Sequence, residues 1–295
     1  MALSFRLNRM TRLRSAKLKQ LLLLPLLGLL GGCTGVFFFP MSDWVQNPTR
    51  QGLDYEDIIL IHPDGLRLHG WWLPAATDEV QGTVYFLHGN AQNVSTHLMN
   101  VAWLPHAGYQ VFLLDYREYG LSEGKARLPA VFEDVQLGLD WLHASGRIEG
   151  PLVVFGQSLG ASTLPYVLGR EENAGRYDCV MMEAAFAGFR DITRDVMRGS
   201  WLLWPLSFVF PPFISTDWDA QDHIAALAPQ PLLLLHSHED GIIPYAHGER
   251  LFEAAAEPKT FQRLRGGHIA STRDPAVRAR LVDFMEDACV AAPAG

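Results

Sequence analysis

Ser158 has the sequence surroundings of an activated nucleophile. It stands at the centre of Gly156–Gly160, which reads Gly-Gln-Ser-Leu-Gly and directly follows an apolar run that begins at Leu152. A sharp turn from strand to helix needs small flanking residues. It exposes the serine hydroxyl at the edge of a sheet, where the first N–H groups of the helix also point. The pattern therefore predicts a nucleophile elbow with Ser158 at its tip.

Asp240 and His268 are the residues that could activate this serine. A serine hydroxyl needs a base to remove its proton and an acid to orient that base. Asp240 follows the apolar run 232–236, and His268 follows the run 261–264 and two glycines. Because the carboxyl ends of parallel strands meet at one edge of a sheet, we expect both side chains near Ser158. The order serine, acid, histidine predicts a catalytic triad for acyl transfer.

Two backbone N–H groups are candidates for an oxyanion hole, which stabilises the negative charge that develops on a substrate oxygen. One is expected from Leu159, the residue after the nucleophile. The other is expected from the loop after the strand-like run 82–88, with Asn90 N–H as the donor and Ala91 N–H as the alternative. His88, which precedes this loop, is predicted to brace it rather than to act as a base.

A rival metal site overlaps the predicted acid. His236, His238 and Asp240 have the H-x-H-x-D spacing that resembles metallo-β-lactamase-like zinc hydrolases. That motif requires a further histidine directly after the aspartate, where this chain has Gly241. Such a site also needs further nitrogen or carboxylate ligands at suitable places, and none has matching spacing. We therefore expect neither a metal nor another cofactor, and keep a zinc hydrolase as an alternative.

The segments that must position these residues alternate between strand and helix. Residues 55–61 and 67–73 read as a β-hairpin. From residue 82 onward, strand-like runs alternate with helix-length segments, which is typical of parallel βαβ units. Residues 186–227 interrupt this alternation and are predicted to form a cap. The prediction is an α/β fold with a doubly wound, mostly parallel sheet, an antiparallel N-terminal hairpin and a cap insertion; helices are predicted over 129–143, 246–256 and 275–291.

Together these segments resemble the α/β-hydrolase superfamily, and within it the serine-aminopeptidase-like group that also contains membrane-associated acyl-protein thioesterases. The segments that carry the resemblance are Leu87–Ala91, Asp115–Gly124, Gly156–Gly160, Asp240 with Ile243–Pro244, and Gly267–His268. The resemblance implies an α/β-hydrolase fold and a serine hydrolase that cleaves carboxylic esters or thioesters through an acyl-enzyme, without a cofactor. Glu118 and Ser237 depart from the group's pattern, since glycine is common at both positions.

Two other functions are compatible with the same residues. A serine hydrolase of this group could cleave the amide bonds of short peptides instead of esters. A hydrolase fold can also be kept as a catalytically idle interaction module of the cell envelope, although an intact triad argues against this. Labelling by a fluorophosphonate, which reacts only with an activated serine, would separate the active from the idle case.

The predicted cap is rich in aromatic residues. Residues 201–213 include two tryptophans and three phenylalanines. Two interpretations of these side chains are open. They could bind acyl chains or enter lipid, or they could pack inward as a small core of the cap.

The first 33 residues have the pattern of a bacterial lipoprotein signal. Residues 1–20 carry six basic and no acidic residues, the apolar run 21–30 follows, and two glycines precede Cys33. A basic segment, a short apolar segment and a small-residue cleavage site are typical of a secretory signal. The apolar run is too short for a good transmembrane helix. Similarity to lipoprotein signals implies that Cys33 becomes the lipidated first residue, and Thr34 after it implies an outer-membrane location.

This processing would divide the chain into three parts. They are a signal peptide over 1–32, a tether over 33–50 and a hydrolase domain over 51–295 that includes the cap. An uncleaved anchor with an incidental Cys33 is the alternative, and Met10 is an alternative start of translation. In either case the hydrolase domain is predicted to lie in the cell envelope.

The charge of the chain argues against a nucleic-acid partner. Its formal net charge is −8, and the basic residues of 1–20 precede the predicted cleavage site. The mature protein would therefore be more acidic still, which disfavours nucleic-acid binding. Membrane attachment is expected through the lipid on Cys33 and not through a basic surface. A small-molecule or lipid acyl substrate is the other predicted partner.

Cys179 and Cys289 are the only cysteines besides Cys33. Cys179 lies in an apolar strand-like run, and Cys289 lies near the C-terminus. A disulfide between them is one option in an oxidising compartment. Two separate thiols are the expectation.

Overall fold

The computed structural model describes residues 34–289, so the predicted signal segment and Cys33 lie outside the described residues. The described chain begins with a 3₁₀ turn over Thr34–Phe37 that lies against the domain. Phe38 is buried in the core, and the ring of Phe37 packs 5.8 Å from that of Phe189. Residues 34–51 are thus in contact with the hydrolase domain from their first turn onward.

An eight-stranded sheet forms the centre of the molecule. Several of its strands are buried at every residue, which is typical of parallel strands that are covered by helices on both faces. The strands in chain order, including two short ones outside this sheet, are β1 (Phe39–Pro40), β2 (Glu56–Ile61), β3 (Arg67–Leu73), β4 (Gly82–Leu87), β5 (Ala91–Gln92), β6 (Tyr109–Leu114), β7 (Leu152–Gln157), β8 (Cys179–Glu183), β9 (Leu232–Ser237) and β10 (Lys259–Leu264).

The strand order across the sheet is β10-β9-β8-β7-β4-β6-β3-β2. Only β3 runs opposite to the others, because it pairs antiparallel with both β2 and β6, whereas the remaining pairs of the sheet are parallel. The predicted hairpin is confirmed as β2 and β3, and the predicted mostly parallel sheet is confirmed with it. The ends of β4, β7, β8, β9 and β10 therefore share one carboxyl edge.

Helices cover both faces of the sheet, as a doubly wound fold requires. In chain order they are α1 (Val94–His97), α2 (Ala130–Ser145), α3 (Leu159–Leu168), α4 (Phe189–Gly199), α5 (Ala220–His223), α6 (Tyr245–Ala254) and α7 (Pro275–Phe284). Val135 of α2 and Leu164 of α3 belong to the core on one face, and Leu281 of α7 belongs to the core on the other. The neighbouring Trp72 and Trp71 of β3 enter these two cores separately, because successive side chains of a strand point to opposite faces.

The C-terminal part of the fold differs from its prediction. Helices α2 and α6 shift by one or two residues from the predicted bounds, an ordinary uncertainty of helix ends. The helix predicted over 275–291 instead ends at Phe284, and a π-helical turn over Met285–Cys289 follows it. This turn brings Cys289 to β8, where it forms a disulfide with Cys179 across a Cα–Cα distance of 5.2 Å. The prediction of two separate thiols is wrong, because α7 returns the end of the chain to the sheet.

The segment between β8 and β9 forms a cap at the carboxyl edge. It contains α4, two 3₁₀ turns over Trp204–Phe208 and Pro211–Phe213, and α5. Polar contacts join α4 to α6: Arg250 donates to Asp191 at 2.6 Å, and His247 Nε2 lies 3.1 Å from Asp195. None of the helices within residues 34–289 is long and apolar enough to cross a bilayer.

Candidate active site

Ser158 lies at the tip of a strained turn between β7 and α3. Its φ of 52° and ψ of −113° place its backbone in a region that residues other than glycine rarely occupy. Two hydrogen bonds hold the turn in place. The N–H of Ser158 donates to the carbonyl of Glu183 at 2.8 Å, and the hydroxyl of Ser162 donates to the carbonyl of Ser158 at 2.9 Å. The local geometry is that of a nucleophile elbow.

Gly156 and Gly160 are the residues that permit this turn. A Cβ atom on Gly156 would lie 2.6 Å from the backbone of Ala161, closer than real Cβ contacts allow. A Cβ atom on Gly160 would overlap the carbonyl oxygens of Leu87 and His88 at the end of β4. The spacing of the two glycines therefore has a steric cause, because α3 starts directly against its own strand and the neighbouring one.

Asp240 and His268 form a hydrogen-bonded pair beside this turn. His268 Nδ1 lies 2.7 Å from Asp240 Oδ2, and Asp240 Oδ1 accepts from the N–H groups of Ile242 and Ile243 at 2.8 and 2.9 Å. Burial acts to raise the pKa of Asp240, but the hydrogen bonds from His268 and Ile243 outweigh it and lower that pKa overall. Asp240 is therefore a carboxylate at neutral pH, and it favours the His268 tautomer that carries the proton on Nδ1.

The two loops that carry this pair are fastened to each other. The hydroxyl of Ser237 donates to the carbonyl of Gly266 at 2.5 Å, and the N–H of Gly266 donates to the carboxylate of Glu239 at 2.7 Å. Ser237, one of the two departures from the group's pattern, thus supplies a bond that glycine could not make. It links the loop of Asp240 to the loop of His268.

Ser158 and His268 both line an apolar cavity of about 410 Å³ under the cap. The cap contributes much of the wall, and Phe37 closes one side from the N-terminal turn. Within residues 34–289 the Ser158 hydroxyl makes no hydrogen bond to His268; such catalytic contacts often tighten only when substrate binds. The cap residues in the wall include Phe189, Ile192, Val196, Met197, Leu203 and Phe210.

The two predicted oxyanion donors lie at the same cavity. Leu159 and Asn90 both line it, together with Ala91, the alternative donor. Neither the Leu159 N–H nor the Asn90 N–H donates a hydrogen bond to any group in the described part of the chain. The Asn90 carbonyl accepts from the hydroxyl of Tyr119 at 2.5 Å, which fixes the next peptide unit, the one that carries the Ala91 N–H. Both N–H groups are therefore free to bind an oxygen in the cavity.

Two histidines support the loop of Asn90. His88 is fully buried, with Nε2 3.3 Å from Asp115 Oδ1 and Nδ1 2.7 Å from the Gly89 carbonyl, so it braces the loop from within. His97 of α1, which the sequence did not single out, lines the cavity, and its Nε2 lies 3.0 Å from the Ala91 carbonyl. Burial lowers the pKa of His97 to about 3, so this imidazole is neutral and its Nε2–H donates to Ala91.

Glu183, at the end of β8, is a second residue that the sequence did not reveal. Its carboxylate accepts from Gln157 Nε2 at 2.6 Å, on the elbow strand, and from the N–H of Ser271 at 3.2 Å, just after His268. Burial raises the pKa of Glu183, although these hydrogen bonds act against the rise. Glu183 therefore connects the elbow of Ser158 to the loop of His268 through these two hydrogen bonds.

Glu118, the other departure from the group's pattern, has a positive φ of 73°. Glycine is the usual residue at such positions because it has no Cβ to clash. In this chain the Glu118 carboxylate accepts a hydrogen bond from the N–H of Ala126 at 2.9 Å and pairs with Lys125. These contacts offset part of the cost of the left-handed backbone.

The residues of the alternative zinc site do not converge on one point. His236 is buried, with Nε2 3.1 Å from the Ile243 carbonyl, whereas His238 has Nδ1 2.9 Å from the Leu264 carbonyl. Asp240 is engaged with His268. Among the described residues, no group of three or more His, Cys, Asp and Glu side chains could hold a metal ion. The three side chains of the H-x-H-x-D spacing therefore each bind a different partner within the fold.

Comparison with known proteins places this geometry in a family. The family described as serine aminopeptidase, S33, matches residues 78–213. The uncharacterized protein YfhR of Escherichia coli K12 is 32% identical over 257 residues, which cover 84% of this chain and 86% of YfhR. The α/β hydrolase domain-containing protein WAV2 of Arabidopsis thaliana is 31% identical over 222 residues, covering 71% of this chain and 69% of WAV2.

Two further proteins are similar at lower identity. The lysophosphatidylserine lipase ABHD12 of Xenopus tropicalis is 24% identical over 277 residues, which cover 83% of this chain and 69% of ABHD12. The esterase Pf2001 of Pyrococcus furiosus superposes with a TM-score of 0.68 at 18% identity, covering 86% of this chain and 98% of the esterase. The sheet, the elbow turn and these relatives agree: the chain is an α/β hydrolase and belongs to the same family as YfhR and WAV2.

Proposed function

We propose that this α/β hydrolase is a serine hydrolase that cleaves esters or thioesters of an apolar acyl group through an acyl-enzyme. The observation that carries the proposal is the shared cavity. Ser158, on its strained turn, and His268, hydrogen-bonded to Asp240, line one apolar pocket with two free backbone N–H groups. That combination supplies a nucleophile, a base, an orienting acid and an oxyanion site in one place.

The reaction would proceed in two steps. Ser158 Oγ attacks the acyl carbonyl carbon while His268 Nε2 takes the hydroxyl proton, and the Leu159 and Asn90 N–H groups bind the oxyanion. The tetrahedral intermediate then expels the alcohol or thiol, to which His268 returns the proton. In the second step His268 takes a proton from water as the water oxygen attacks the acyl carbon, and the bond between that carbon and Ser158 Oγ then breaks. His268 returns the proton to Ser158 Oγ, which releases the acid and restores the free enzyme. Asp240 remains ionised throughout and stabilises the imidazolium.

The lining of the cavity favours an acyl ester over a peptide. An aminopeptidase must bind a free α-ammonium group, for which a carboxylate is the natural partner. Among the residues that the structure describes, no Asp, Glu, Lys or Arg side chain lines the cavity. Long apolar walls with few polar groups instead suit a hydrocarbon chain. The names of ABHD12, a lysophosphatidylserine lipase, and Pf2001, an esterase, support the same choice.

Ser158→Ala tests the proposal directly. We expect the wild-type protein to react with a fluorophosphonate and to hydrolyse a short p-nitrophenyl ester, and the variant to lose both. Loss of a serine nucleophile costs about 10⁶ in kcat in the subtilisin case. Ser42→Ala is the matched control, because Ser42 is an exposed serine that lies outside the cavity. Retention of more than about a hundredth of the rate in Ser158→Ala would contradict the assignment of the nucleophile.

A second part of the proposal concerns location. The signal pattern of residues 1–32 supports lipidation of Cys33 and attachment to the outer membrane. Cells fed an alkyne-tagged palmitate should label the wild-type protein, and Cys33→Ser should abolish the label and leave the domain soluble or as an uncleaved precursor. Recovery of wild-type protein in the cytosol with residues 1–32 attached would contradict this location.

A further inference from the structure

The cap carries an exposed apolar surface that the reaction does not explain. Residues 199–216 contain no charged residue. Trp201 is 89% exposed and Leu202 is 66% exposed, which is unusual for side chains of this size and apolarity on a water-facing surface. We call the exposed group of Trp201, Leu202, Trp204, Leu206, Phe208 and Val209 the cap patch.

The cap patch is continuous with the mouth of the cavity. Leu203 and Phe210 lie within the same stretch of chain as the patch, and both line the cavity. Val196, on α4, and Ile242, beside Asp240, are also exposed and also line it. The patch is therefore next to exposed apolar residues that also line the cavity of Ser158, so an acyl chain could pass from one to the other along apolar side chains.

The N-terminal segment reaches the body on the same side. The described chain starts in the turn Thr34–Phe37, and Phe37 both lines the cavity and packs on Phe189 of the cap helix. Cys33 is bonded directly to Thr34, and the apolar run 21–30 precedes it. An N-terminal membrane anchor would therefore join the hydrolase domain beside the cap, and not at the opposite edge of the sheet.

We infer that the cap patch is a lipid-binding surface that seats the cavity mouth on a bilayer. Exposed Trp, Leu and Phe side chains suit the interface between headgroups and acyl chains. The one charge seen against these rings is that of Arg198, whose guanidinium lies 5.8 Å from the ring centroid of Phe208, and a cation at headgroup level is compatible with such an interface. Net charge would not supply the attraction, because the whole chain is acidic. Burial of the apolar patch would supply it instead. This inference does not rest on the proposed reaction, since lipid binding needs no nucleophile.

Tryptophan quenching tests the contact in the full chain. All eight tryptophans lie within the described residues, and the segment 1–33 has none. In phosphatidylcholine vesicles with brominated acyl chains, we expect the fluorescence of the wild-type protein to be quenched relative to ordinary phosphatidylcholine. Trp201→Phe/Trp204→Phe should remove most of this quenching. Trp103→Phe should retain it, because Trp103 packs in the core region next to α7, away from the cap.

Three results would overturn the inference. The first is no quenching in the wild-type protein, and the second is equal quenching in the Trp201→Phe/Trp204→Phe variant. The third is a concentration-dependent blue shift without vesicles, which would show that a second copy covers the patch. Ser158→Ala should be quenched like the wild type, so loss of the proposed reaction and loss of lipid binding are distinguishable.

A kinetic comparison gives a second readout, which, unlike the quenching, rests on the proposed ester hydrolysis. Trp201 and Leu202 do not line the cavity, so the Trp201→Ser/Leu202→Ser variant should hydrolyse a short water-soluble ester at the wild-type rate. Its apparent KM for a long-chain ester dispersed in phosphatidylcholine vesicles should rise by at least about tenfold. Ile59→Ser/Ile61→Ser is the control, because it also removes two exposed apolar side chains, here from the edge strand β2. An equal effect of both pairs, or no effect of the cap pair, would contradict a specific role of the patch.

Discussion

His268 Nδ1 and Asp240 Oδ2 are 2.7 Å apart, and this contact joins two loops that follow different strands. Asp240 follows β9, and His268 follows the edge strand β10. The second oxygen of Asp240 is held by the N–H groups of Ile242 and Ile243, so the carboxylate cannot turn away from the imidazole. In the proposed mechanism, the Nε2 atom of His268 is thereby left to take the proton of the Ser158 hydroxyl.

Asp240→Asn should lower kcat for a short ester by about 10⁴, as the equivalent exchange does in a serine protease. The asparagine can offer an N–H to Nδ1 and so select the wrong tautomer of His268. Added chelator should leave the wild-type rate unchanged. His236→Ala and His238→Ala should cost much less than His268→Ala, because only His268 can take the proton of Ser158. An enzyme that is inhibited by chelator and tolerates His268→Ala would refute the triad in favour of the metal site.

Glu183→Ala should reduce kcat by about tenfold with little change in KM, because it frees both the elbow and the loop of His268 without touching the cavity. It should also lower the free energy of unfolding by about 1–3 kcal/mol, since Gln157 and the Ser271 N–H lose a buried acceptor. Steady-state kinetics and urea unfolding measure the two effects. Glu183→Gln, which keeps the volume and one acceptor, should recover much of both; an equal loss in the two variants would argue against this positioning role.

The convergence of Ser158, Asp240 and His268 on one sheet edge was predictable from sequence. Each follows an apolar run of strand length, and the carboxyl ends of parallel strands lie together whatever the details of packing. The small residues around the elbow could be predicted for the same reason, because the clash at Gly156 and Gly160 is local. The placement of these side chains therefore follows from strand direction and local sterics, which the sequence is sufficient to predict.

Long-range contacts were not predictable in this way. Cys179 and Cys289 are separated by 110 residues, and no periodicity indicates that α7 ends beside β8. His97 and Glu183 look ordinary in the sequence because their importance lies in partners from other elements. Glu118 looked like a departure from a family pattern until its backbone angle explained why glycine is usual there.

Glu118 offers a test of this backbone explanation. Glu118→Ala keeps the unfavourable φ and loses the hydrogen bond with the Ala126 N–H, so it should lower the free energy of unfolding by about 1 kcal/mol. Glu118→Gly loses the same bond but relieves a strain of about 1–2 kcal/mol, so it should be close to the wild type. Urea unfolding of the three proteins measures the order. A glycine variant less stable than the alanine variant would contradict the strain argument.

The disulfide between Cys179 and Cys289 should contribute strongly to stability, because it closes a long loop in the unfolded chain. Cys289→Ala should lower the free energy of unfolding by about 2–5 kcal/mol. Cys179→Ala/Cys289→Ala should cost little more than the single variant, since the bridge is already lost. A reductant should destabilise the wild type but neither variant, and a wild type that is indifferent to reductant would argue against the bridge.

Asp219, which binds the first residue of the cap helix α4, is predicted to make the stability of the protein depend on pH. Its carboxylate is buried and accepts from the N–H of Phe189, the first residue of α4, at 2.8 Å. Burial, with the nearby carboxylates of Asp222 and Asp191, raises the pKa of Asp219 to about 6, although the bond from Phe189 and the charge of Arg190 oppose this rise. The folded protein therefore binds a proton at Asp219 more tightly than the unfolded chain does, whose aspartates titrate near about 3.9.

Because the pKa is raised on folding, the stabilisation from protonated Asp219 is present below about pH 4 and is lost as the pH rises through about 6. The loss amounts to about 3 kcal/mol at most. The asparagine of Asp219→Asn does not titrate, so only the wild type loses this stabilisation. The free energy of unfolding of Asp219→Asn, measured relative to that of the wild type, should therefore rise by up to this amount from pH 4 to pH 7. Asp219→Ala should show the same pH trend at a lower stability throughout, because the Phe189 N–H loses its acceptor. If urea unfolding gave a pH-independent difference between Asp219→Asn and the wild type, Asp219 would not be the titrating group.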